Sequence, residues 1–187
     1  GNKKNDYDDA KYKILKDWLK GLSEGIYAAD TTAYRMISAN WLGVGIFDRL
    51  IGDDNIQFEL IGWNWYSDMG EDLIKEVDGA DFSIPEYLKK YPKEFWVVEL
   101  SRQGGTLDGN EQAQADFLKT FIPNSTSHSN VAGMFVFPLT DLCPDLNTGV
   151  GKMGIIRLAR NTDSSCIVED KKPAFNVLKD LFSGFKK

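Results

Sequence analysis

The feature that most constrains this chain is a series of segments that are too continuously apolar for strands with one face in water. Three of them, Ile56–Tyr66, Glu94–Leu100 and Val131–Phe137, are rich in aromatic and β-branched residues. A fourth segment, Tyr34–Trp41, is also typical of a strand. Strands buried on both faces occur in parallel sheets, whose right-handed crossovers place helices over the sheet. The pattern therefore predicts an α/β fold with a parallel sheet of about four strands.

Helical patterns alternate with these strands. From Asp8 to about Gly25, apolar residues recur in steps of three and four, which predicts one buried helix face formed by Tyr12, Leu15, Trp18, Leu19, Leu22 and Ile26. Ser83–Glu86 is a capping-box pattern that begins a second helix. Asp108 or Asn110 can cap a third. Lys172-Pro173 opens the last helix, for which the pattern predicts burial of Phe175, Leu178, Leu181 and Phe182.

Length and charge exclude several classes of protein. At about 150 residues per domain, a chain of 187 residues predicts a single (β/α) domain over residues 1–187. Lys and Arg number 22 against 28 Asp and Glu, so the chain lacks the excess positive charge that is typical of a nucleic-acid-binding protein. The longest apolar stretch, Val131–Leu139, is far shorter than the roughly 20 residues of a spanning helix. We therefore expect neither a nucleic-acid nor a membrane partner.

The chain start and the cysteines carry weaker signals. Gly1–Asn5 is polar and lacks an initiator Met, as expected for a processed end, so the gene product is expected to begin upstream. Cys143 and Cys166 are too few for a disulfide framework or a zinc site, and they form either one bridge or two free thiols. A periplasmic or secreted location is favoured.

Candidate functional residues follow the strands, because ligand sites of parallel sheets gather at the carboxyl ends. Glu99 comes directly after four apolar residues, so its burial would cost several kcal/mol without a partner or a function. A simpler interpretation is that Glu99 emerges into a polar loop and pairs with Arg102. For one member of the pair Trp63 and Trp65, core packing is the simpler interpretation. The other candidates at strand ends are Asn40, Trp41, Asn64, Tyr66, Asp68, Phe137, Thr140 and Asp141.

Two other motifs carry little weight. Gly149–Gly154 resembles a phosphate loop but lacks the preceding strand, the Ser or Thr after Lys152 and a following helix, which favours an ordinary loop. His128 is the only histidine, so a Ser-His-Asp triad or a histidine-ligated metal has almost no material to use. No metal or cofactor is predicted.

The order Ile61–Tyr66, Phe95–Glu99, a helix containing Gln112, and Val131–Phe137 resembles the second half of a retaining glycoside hydrolase of the large (β/α)8-barrel clan. The resemblance covers nearly the whole chain. It implies the C-terminal half of a TIM-type barrel, about four (β/α) units, with Glu99 as the catalytic nucleophile and Tyr66, or else Asn64, as its hydrogen-bond partner. Phe137 stands where the clan usually has a Trp under the sugar. Trp41, Trp65 and Phe137 are then candidate apolar platforms for the carbohydrate substrate.

The sequence departs from the clan in its second carboxylate. The clan carries its acid/base Glu in an Asn-Glu pair that ends a strand, and the only such pair here, Asn110-Glu111, opens a helix. A complete barrel takes about 250 residues. Half a barrel leaves apolar faces and two sheet edges that need cover. The cover would be a missing N-terminal half, a partner chain or a second copy in a homodimer.

Three functions remain open at this stage. The first is a glycosidase that acts on a polysaccharide or oligosaccharide, inactive as this fragment if the acid lies elsewhere. The second is a non-catalytic carbohydrate-binding or assembly module derived from the same half-barrel. A doubly wound domain that binds a small metabolite is least favoured, because no glycine fingerprint joins a strand to a helix.

Overall fold

The computed structural model describes residues 1–184. Along the chain lie α1 (Asp9–Ala29), β1 (Met36–Asn40), the short α2 (Gly45–Phe47), β2 (Leu60–Tyr66), β3 (Ile74–Val77), β4 (Ala80–Ser83), α3 (Ile84–Leu88), β5 (Glu94–Ser101), α4 (Glu111–Thr126), β6 (Val131–Val136), β7 (Ile156–Arg160), β8 (Cys166–Lys171) and α5 (Pro173–Gly184). No helix in this range is long and apolar enough to cross a membrane.

Four of these strands form the parallel sheet that the sequence predicts. Its order is β1-β2-β5-β6, and the register of the first pair runs from Met36 opposite Leu60 to Asn40 opposite Asn64. The predicted burial on both faces was wrong for β6, which lies at the edge of the sheet: none of its side chains is buried, and Phe135 is 55% exposed. The strands follow one another along the chain as they do across the sheet, with helices in the connections. This is the arrangement of successive (β/α) units.

Residue contacts divide the chain into two compact units. The first comprises Gly1–Asn64, Ile74–Val97 and Asn130–Gly133, and the second comprises Trp65–Leu73, Val98–Ser129 and the chain from Met134 onward. The boundary falls within β2, β5 and β6. The single domain over residues 1–187 stays a prediction.

Each unit has its own aromatic core. In the first, the Trp63 ring lies 6.2 Å from the rings of both Phe47 and Phe95. In the second, the Trp65 ring stacks on Phe121 at 6.0 Å, and Phe121 packs against Phe117 at 5.4 Å. Burial of side chains this large is a main source of stability for such a fold.

The helix starts follow the predicted capping chemistry. Asp8, Ser83 and Asn110 each accept a hydrogen bond from the backbone amide three residues later, which satisfies an amide that the helix itself leaves unpaired. The capping box at α3 is only half formed, because the Glu86 carboxylate pairs with Lys89 instead of reaching back.

The apolar face of α1 differs most from expectation. Helix α1 continues to Ala29 instead of ending near Gly25. Tyr12 is buried as predicted, but Trp18 is 64% exposed, and Leu15 and Leu22 are also exposed. The prediction of a buried face was wrong for these residues, because no element of the described chain covers them. At the other end of the chain, Phe182 is likewise exposed although its spacing predicts burial.

Two hairpins lie outside the main sheet. Strands β3 and β4 pair antiparallel, with Asp78 and Gly79 both at positive φ in the turn. An Asp-Gly pair is typical of a two-residue hairpin turn, and the sequence interpretation overlooked it. Strands β7 and β8 also pair antiparallel.

The start of β1 is tied to the start of β2 by an ion pair. The Arg35 guanidinium and backbone amide both donate to the Glu59 carboxylate. These hydrogen bonds, together with the positive charge of Arg35, hold the pKa of Glu59 at about 2, below its ordinary 4.5. A carboxyl group whose pKa is lowered by folding stabilises the folded state above its unfolded pKa and loses that contribution as pH falls through its folded pKa.

We therefore expect Glu59→Gln to weaken the acid sensitivity of the fold. Between about pH 4.5 and pH 2, the free energy of unfolding of the wild type should fall more steeply than that of the variant. Urea unfolding at a series of pH values measures both slopes. Glu24→Gln, on the exposed surface of α1, is the control. Equal slopes for wild type and Glu59→Gln would refute the prediction.

Candidate active site

The side chains of Glu99 and Tyr66 meet, as the sequence analysis expects. Glu99 lies near the end of β5 and Tyr66 is the last residue of β2, and the Tyr66 hydroxyl donates to Glu99 Oε2. Both side chains are partly buried. Burial, and then the hydrogen bond and negative charge of Glu99, raise the pKa of Tyr66 well above its usual value. Tyr66 therefore remains a donor, and the carboxylate is held in a fixed orientation.

Arg102 does not neutralise Glu99. Its guanidinium instead forms a two-pronged pair with Asp108, at 2.8 and 2.7 Å, and also donates to the Gly105 carbonyl. The predicted pairing of Glu99 with Arg102 was therefore wrong. The fork between Arg102 and Asp108 closes the loop after β5 on itself and leaves Glu99 available for chemistry.

A cavity of about 410 Å³ begins at Tyr66. Among residues 1–184, its lining is formed by Tyr66, Gln103, Gly104, Phe137, Thr148, Gly149, Val150 and Met153. Two rings and two aliphatic side chains thus give it an apolar wall, and Gln103 and Thr148 supply polar groups. Such a mixture is typical of a small-molecule site.

Two glycine-containing loops approach each other closely beside this cavity. Gly105 has a positive φ of 57°, and a Cβ there would lie 2.4 Å from the Lys152 carbonyl carbon. A Cβ on Gly149 would lie 2.8 Å from the Cα of Gly104. Only residues without a side chain allow these backbones to pack so closely.

The other predicted site residues have different surroundings. Phe137 lines the cavity. Asn64 lies on β2, and its buried Oδ1 has no hydrogen-bond partner among the described residues. Trp41 follows β1 at a positive φ of 50° and is 43% exposed, with the Lys75 ammonium 4.3 Å from the centre of its ring. It lines another cavity, of about 550 Å³, within the first unit.

Trp65 cannot serve as a platform in this structure. Its side chain is fully buried, its ring stacks on Phe121, and its indole nitrogen donates to the Gly70 carbonyl. Core packing, which the sequence suggests for one of Trp63 and Trp65, is found for both. Trp63 is buried against Phe47 and Phe95 in the first unit, and Trp65 is buried against Phe121 in the second.

A family model described as the glycosyl hydrolase catalytic core matches residues 53–151, which is more than half of the chain. The chain belongs to this family. A comparison with curated proteins gives no match.

Solved structures share the fold of this glycosyl hydrolase core. One is the Bacteroides uniformis beta-glucuronidase 2 covalently bound to cyclophellitol-6-carboxylate aziridine, with a TM-score of 0.56 and 15% identity over 82% of this chain and 20% of that chain. Another is a beta-glucosidase from Exiguobacterium marinum, with a TM-score of 0.55 and 10% identity over 94% of this chain and 58% of that chain. The prediction of (β/α) units from a TIM-type barrel is confirmed. The chain spans about a fifth of the length of the beta-glucuronidase and somewhat more than half of the length of the beta-glucosidase.

Several residues of this glycosyl hydrolase core that line the cavity were missed from the sequence. Gln103, Thr148, Val150 and Met153 lie in loops that the sequence marks only by their glycines. Their composition carries no chemical signature, and their convergence depends on contacts between distant segments. The paired glycines, Gly104-Gly105 and Gly149-x-Gly151, were the available signal of a close approach.

The histidine and the two cysteines of this glycosyl hydrolase core each contact a partner within the protein. His128 Nε2 lies 2.9 Å from Asp72 Oδ1. Cys143 and Cys166 form a disulfide, which decides between the two alternatives left open above. The bridge ties the loop after β6 to β8. Within residues 1–184, no group of three or more His, Cys, Asp or Glu side chains is arranged to hold a metal ion.

Proposed function

We propose that this chain is the C-terminal half of the catalytic barrel of a retaining glycoside hydrolase, with Glu99 as the nucleophile. The observation that carries the proposal is the hydrogen bond from Tyr66 to Glu99 at the end of two adjacent parallel strands, beside a cavity with an aromatic wall. A carboxylate oriented by a phenol can attack the anomeric carbon of a glycoside. Family membership and the shared fold support this reaction class.

The reaction proceeds in two displacements. Glu99 attacks the anomeric carbon, the glycosidic C–O bond breaks, and the leaving oxygen takes a proton from a second carboxylic acid. Water, deprotonated by that same carboxylate, then cleaves the glycosyl ester and restores Glu99 with net retention of configuration. In this scheme Tyr66 holds the carboxylate for attack, and Phe137 offers an apolar face to the sugar.

The acid is assigned to residues outside this chain. Retaining hydrolysis needs a second carboxyl group about 5 to 5.5 Å from the nucleophile. Among the residues that the structure describes, no Asp or Glu lines the cavity, and Glu99 itself lies next to it only through its hydrogen bond with Tyr66. An N-terminal half of the barrel is the natural source, because the two similar structures extend well beyond the region matched by this chain.

The exposed surface of α1 supports the same assignment. Ile14 is 72% exposed, Trp18 is 64% exposed, and Leu22 also faces solvent. Strand β1 ends the sheet on one side and β6 ends it on the other. A row of large apolar side chains and unpaired strand edges is unusual for a protein surface. We assign this surface to the N-terminal half, with a partner chain and a homodimer as the alternatives.

A covalent label tests the nucleophile. The full-length protein that contains this chain is incubated with 2-deoxy-2-fluoro glycosides that carry a dinitrophenolate leaving group, in a panel of sugars, and then digested with trypsin. We expect the fluoroglycosyl mass on the peptide of residues 94–102, with fragmentation placing it on Glu99. A label on another carboxylate would overturn the assignment.

The same experiment decides between the enzyme and a non-catalytic carbohydrate-binding or assembly module. The observation that favours the module is that no Asp or Glu among residues 1–184, Glu99 included, lines the cavity. A module predicts sugar binding, measured by calorimetry with the same panel, without any covalent label and without release of dinitrophenolate.

A Tyr66→Phe variant should lower kcat/KM about 10- to 100-fold. The ring remains, but Glu99 loses the donor that holds its orientation. Aryl glycoside hydrolysis measures the change, and circular dichroism should show an unchanged fold. Tyr87→Phe is the matched control, because it removes a similar tyrosine-to-carboxylate hydrogen bond, to Asp48, that does not border the cavity. Equal activity of Tyr66→Phe and the wild type would contradict the assigned contact.

A further inference from the structure

Lys172 is a lysine whose side chain is completely buried, which is rare for this residue type. It lies between β8 and the first residue of α5. Its ammonium donates to Asp141 Oδ1 at 2.7 Å, to Thr106 Oγ1 at 2.9 Å and to the Lys152 carbonyl at 3.0 Å. These three bonds use all the donors that an ammonium has.

The three acceptors belong to three separate loops. Thr106 lies in the loop after β5, Asp141 in the loop after β6, and Lys152 in the segment before β7. The Lys152 carbonyl also accepts from the backbone amide of Thr106, at 3.0 Å. Lys172 and this amide therefore join the same two loops at one point.

Two of these loops form walls of the cavity beside Tyr66. Thr106 is two residues from Gly104, and Lys152 precedes Met153, and both Gly104 and Met153 line the cavity. The backbones of the two loops are in close contact here, since a Cβ at Gly105 would lie 2.4 Å from the Lys152 carbonyl carbon. Lys172 thus donates to both of these loops close to the point where they touch.

A buried ion pair is a poor way to gain stability. Well-packed apolar side chains of similar volume are often as stabilising or more so, because burial of two charges has a large desolvation penalty. What the charged group adds is direction, since its three hydrogen bonds fix three acceptors at defined angles. The side chain of Asp141 is also fully buried, and its Oδ2 lies 3.8 Å from the Lys152 ammonium.

We propose that Lys172 is a positioning residue for the substrate cavity, which fixes the separation of the loops that carry Gly104 and Met153. The inference rests on the proposed glycosidase function. Lys172 does not line the cavity itself. Its loss should therefore weaken substrate binding and leave the chemical step at Glu99 nearly unchanged.

Two variants test this role in the full-length protein. Lys172→Met removes the ammonium with little change in length. Thr106→Val, with almost no change in shape, removes one acceptor of Lys172 together with the hydrogen bond that the Thr106 hydroxyl donates to the Lys152 carbonyl at 3.2 Å. Because Lys172→Met disturbs a buried pair and can impair folding, Thr106→Val is the decisive variant. We expect KM for an aryl glycoside to rise about tenfold in Thr106→Val, with kcat within about twofold of wild type. Thr106→Ser, which keeps the hydroxyl, should restore the wild-type KM.

Glu111→Gln is the matched control for a purely structural effect. It weakens the pair between Glu111 and Arg157, whose atoms are 2.7 and 2.9 Å apart and which joins α4 to β7 without bordering the cavity. This control should lower stability without raising KM. A KM rise of equal size in Glu111→Gln, or an unchanged KM in Thr106→Val, would overturn the positioning role.

Hydrogen exchange separates this inference from the proposed function. Amides of residues 102–107 and 148–153 should exchange faster in Thr106→Val than in wild type or Glu111→Gln. If the wild type hydrolyses no glycoside, the proposed function fails, and the exchange rates still decide whether Lys172 holds the loops. Unchanged exchange in both loops would refute the inference even in an active enzyme.

Discussion

A Glu99→Gln variant of the full-length protein should lose at least about a thousandfold in kcat/KM. An amide oxygen is a poor nucleophile, so the glycosyl ester would not form. The amide still accepts a hydrogen bond from Tyr66, and the partly buried position tolerates a neutral group. Folding should therefore be nearly unaffected. Aryl glycoside turnover and thermal unfolding measure the two properties.

The matched control lies on the same strand. Glu94→Gln makes the same chemical change at the exposed start of β5, where the carboxylate accepts a hydrogen bond from Trp96. It should keep full activity. Retained turnover in Glu99→Gln would remove Glu99 from the mechanism, whereas a similar loss in both variants would indicate a general effect on the strand.

An Asp141→Ala variant should lose about 3–5 kcal/mol in the free energy of unfolding. Among residues 1–184, Asp141 is the only charged acceptor that Lys172 contacts, and without it a buried ammonium keeps two neutral partners there. Chemical unfolding of wild type and variant measures the loss. Asp17→Ala, which removes a solvent-exposed pair on α1, should cause no measurable change.

The pH dependence of this variant has a defined sign. Burial lowers the pKa of Lys172 in the folded wild type, and the Asp141 carboxylate opposes that effect. Removal of Asp141 should lower the pKa further, so the unfolded state binds more protons than the folded state over a wider range below 10.5. Stability of the variant should then rise with pH through this range, by at most about 1.4 kcal/mol per pH unit. Stability that is independent of pH here would contradict a buried charged lysine.

Local chemistry made the strands and helix starts predictable. Ser83 and Asn110 are good N-caps whatever surrounds them, and Val131–Val136 is apolar enough to be a strand, although none of its side chains is buried. The contact of Glu99 with Tyr66 was expected from the resemblance to the (β/α)8-barrel clan, and the strand order is consistent with it. Both follow apolar strands, and the ends of neighbouring parallel strands lie together.

The remaining features depend on packing between distant segments. The period of α1 shows that Trp18 and Leu22 share a face, but it does not show whether another surface covers that face. Trp65 has a strand position and a ring suited to a sugar, and only the position of Phe121 shows that it belongs to the core. Lys172 gave no signal, because its burial results from three loops that meet around it.

The apolar side chains on α1 bear on how this polypeptide fares in a cell. Chaperones and proteases act on chains that display large hydrophobic groups, and they remove such chains continuously. Expressed on its own, with Ile14 and Trp18 in water, the 187-residue chain should be a substrate for this quality control. Under the proposed assignment of this surface to an N-terminal half, co-expression of that half should increase the amount of soluble chain that survives.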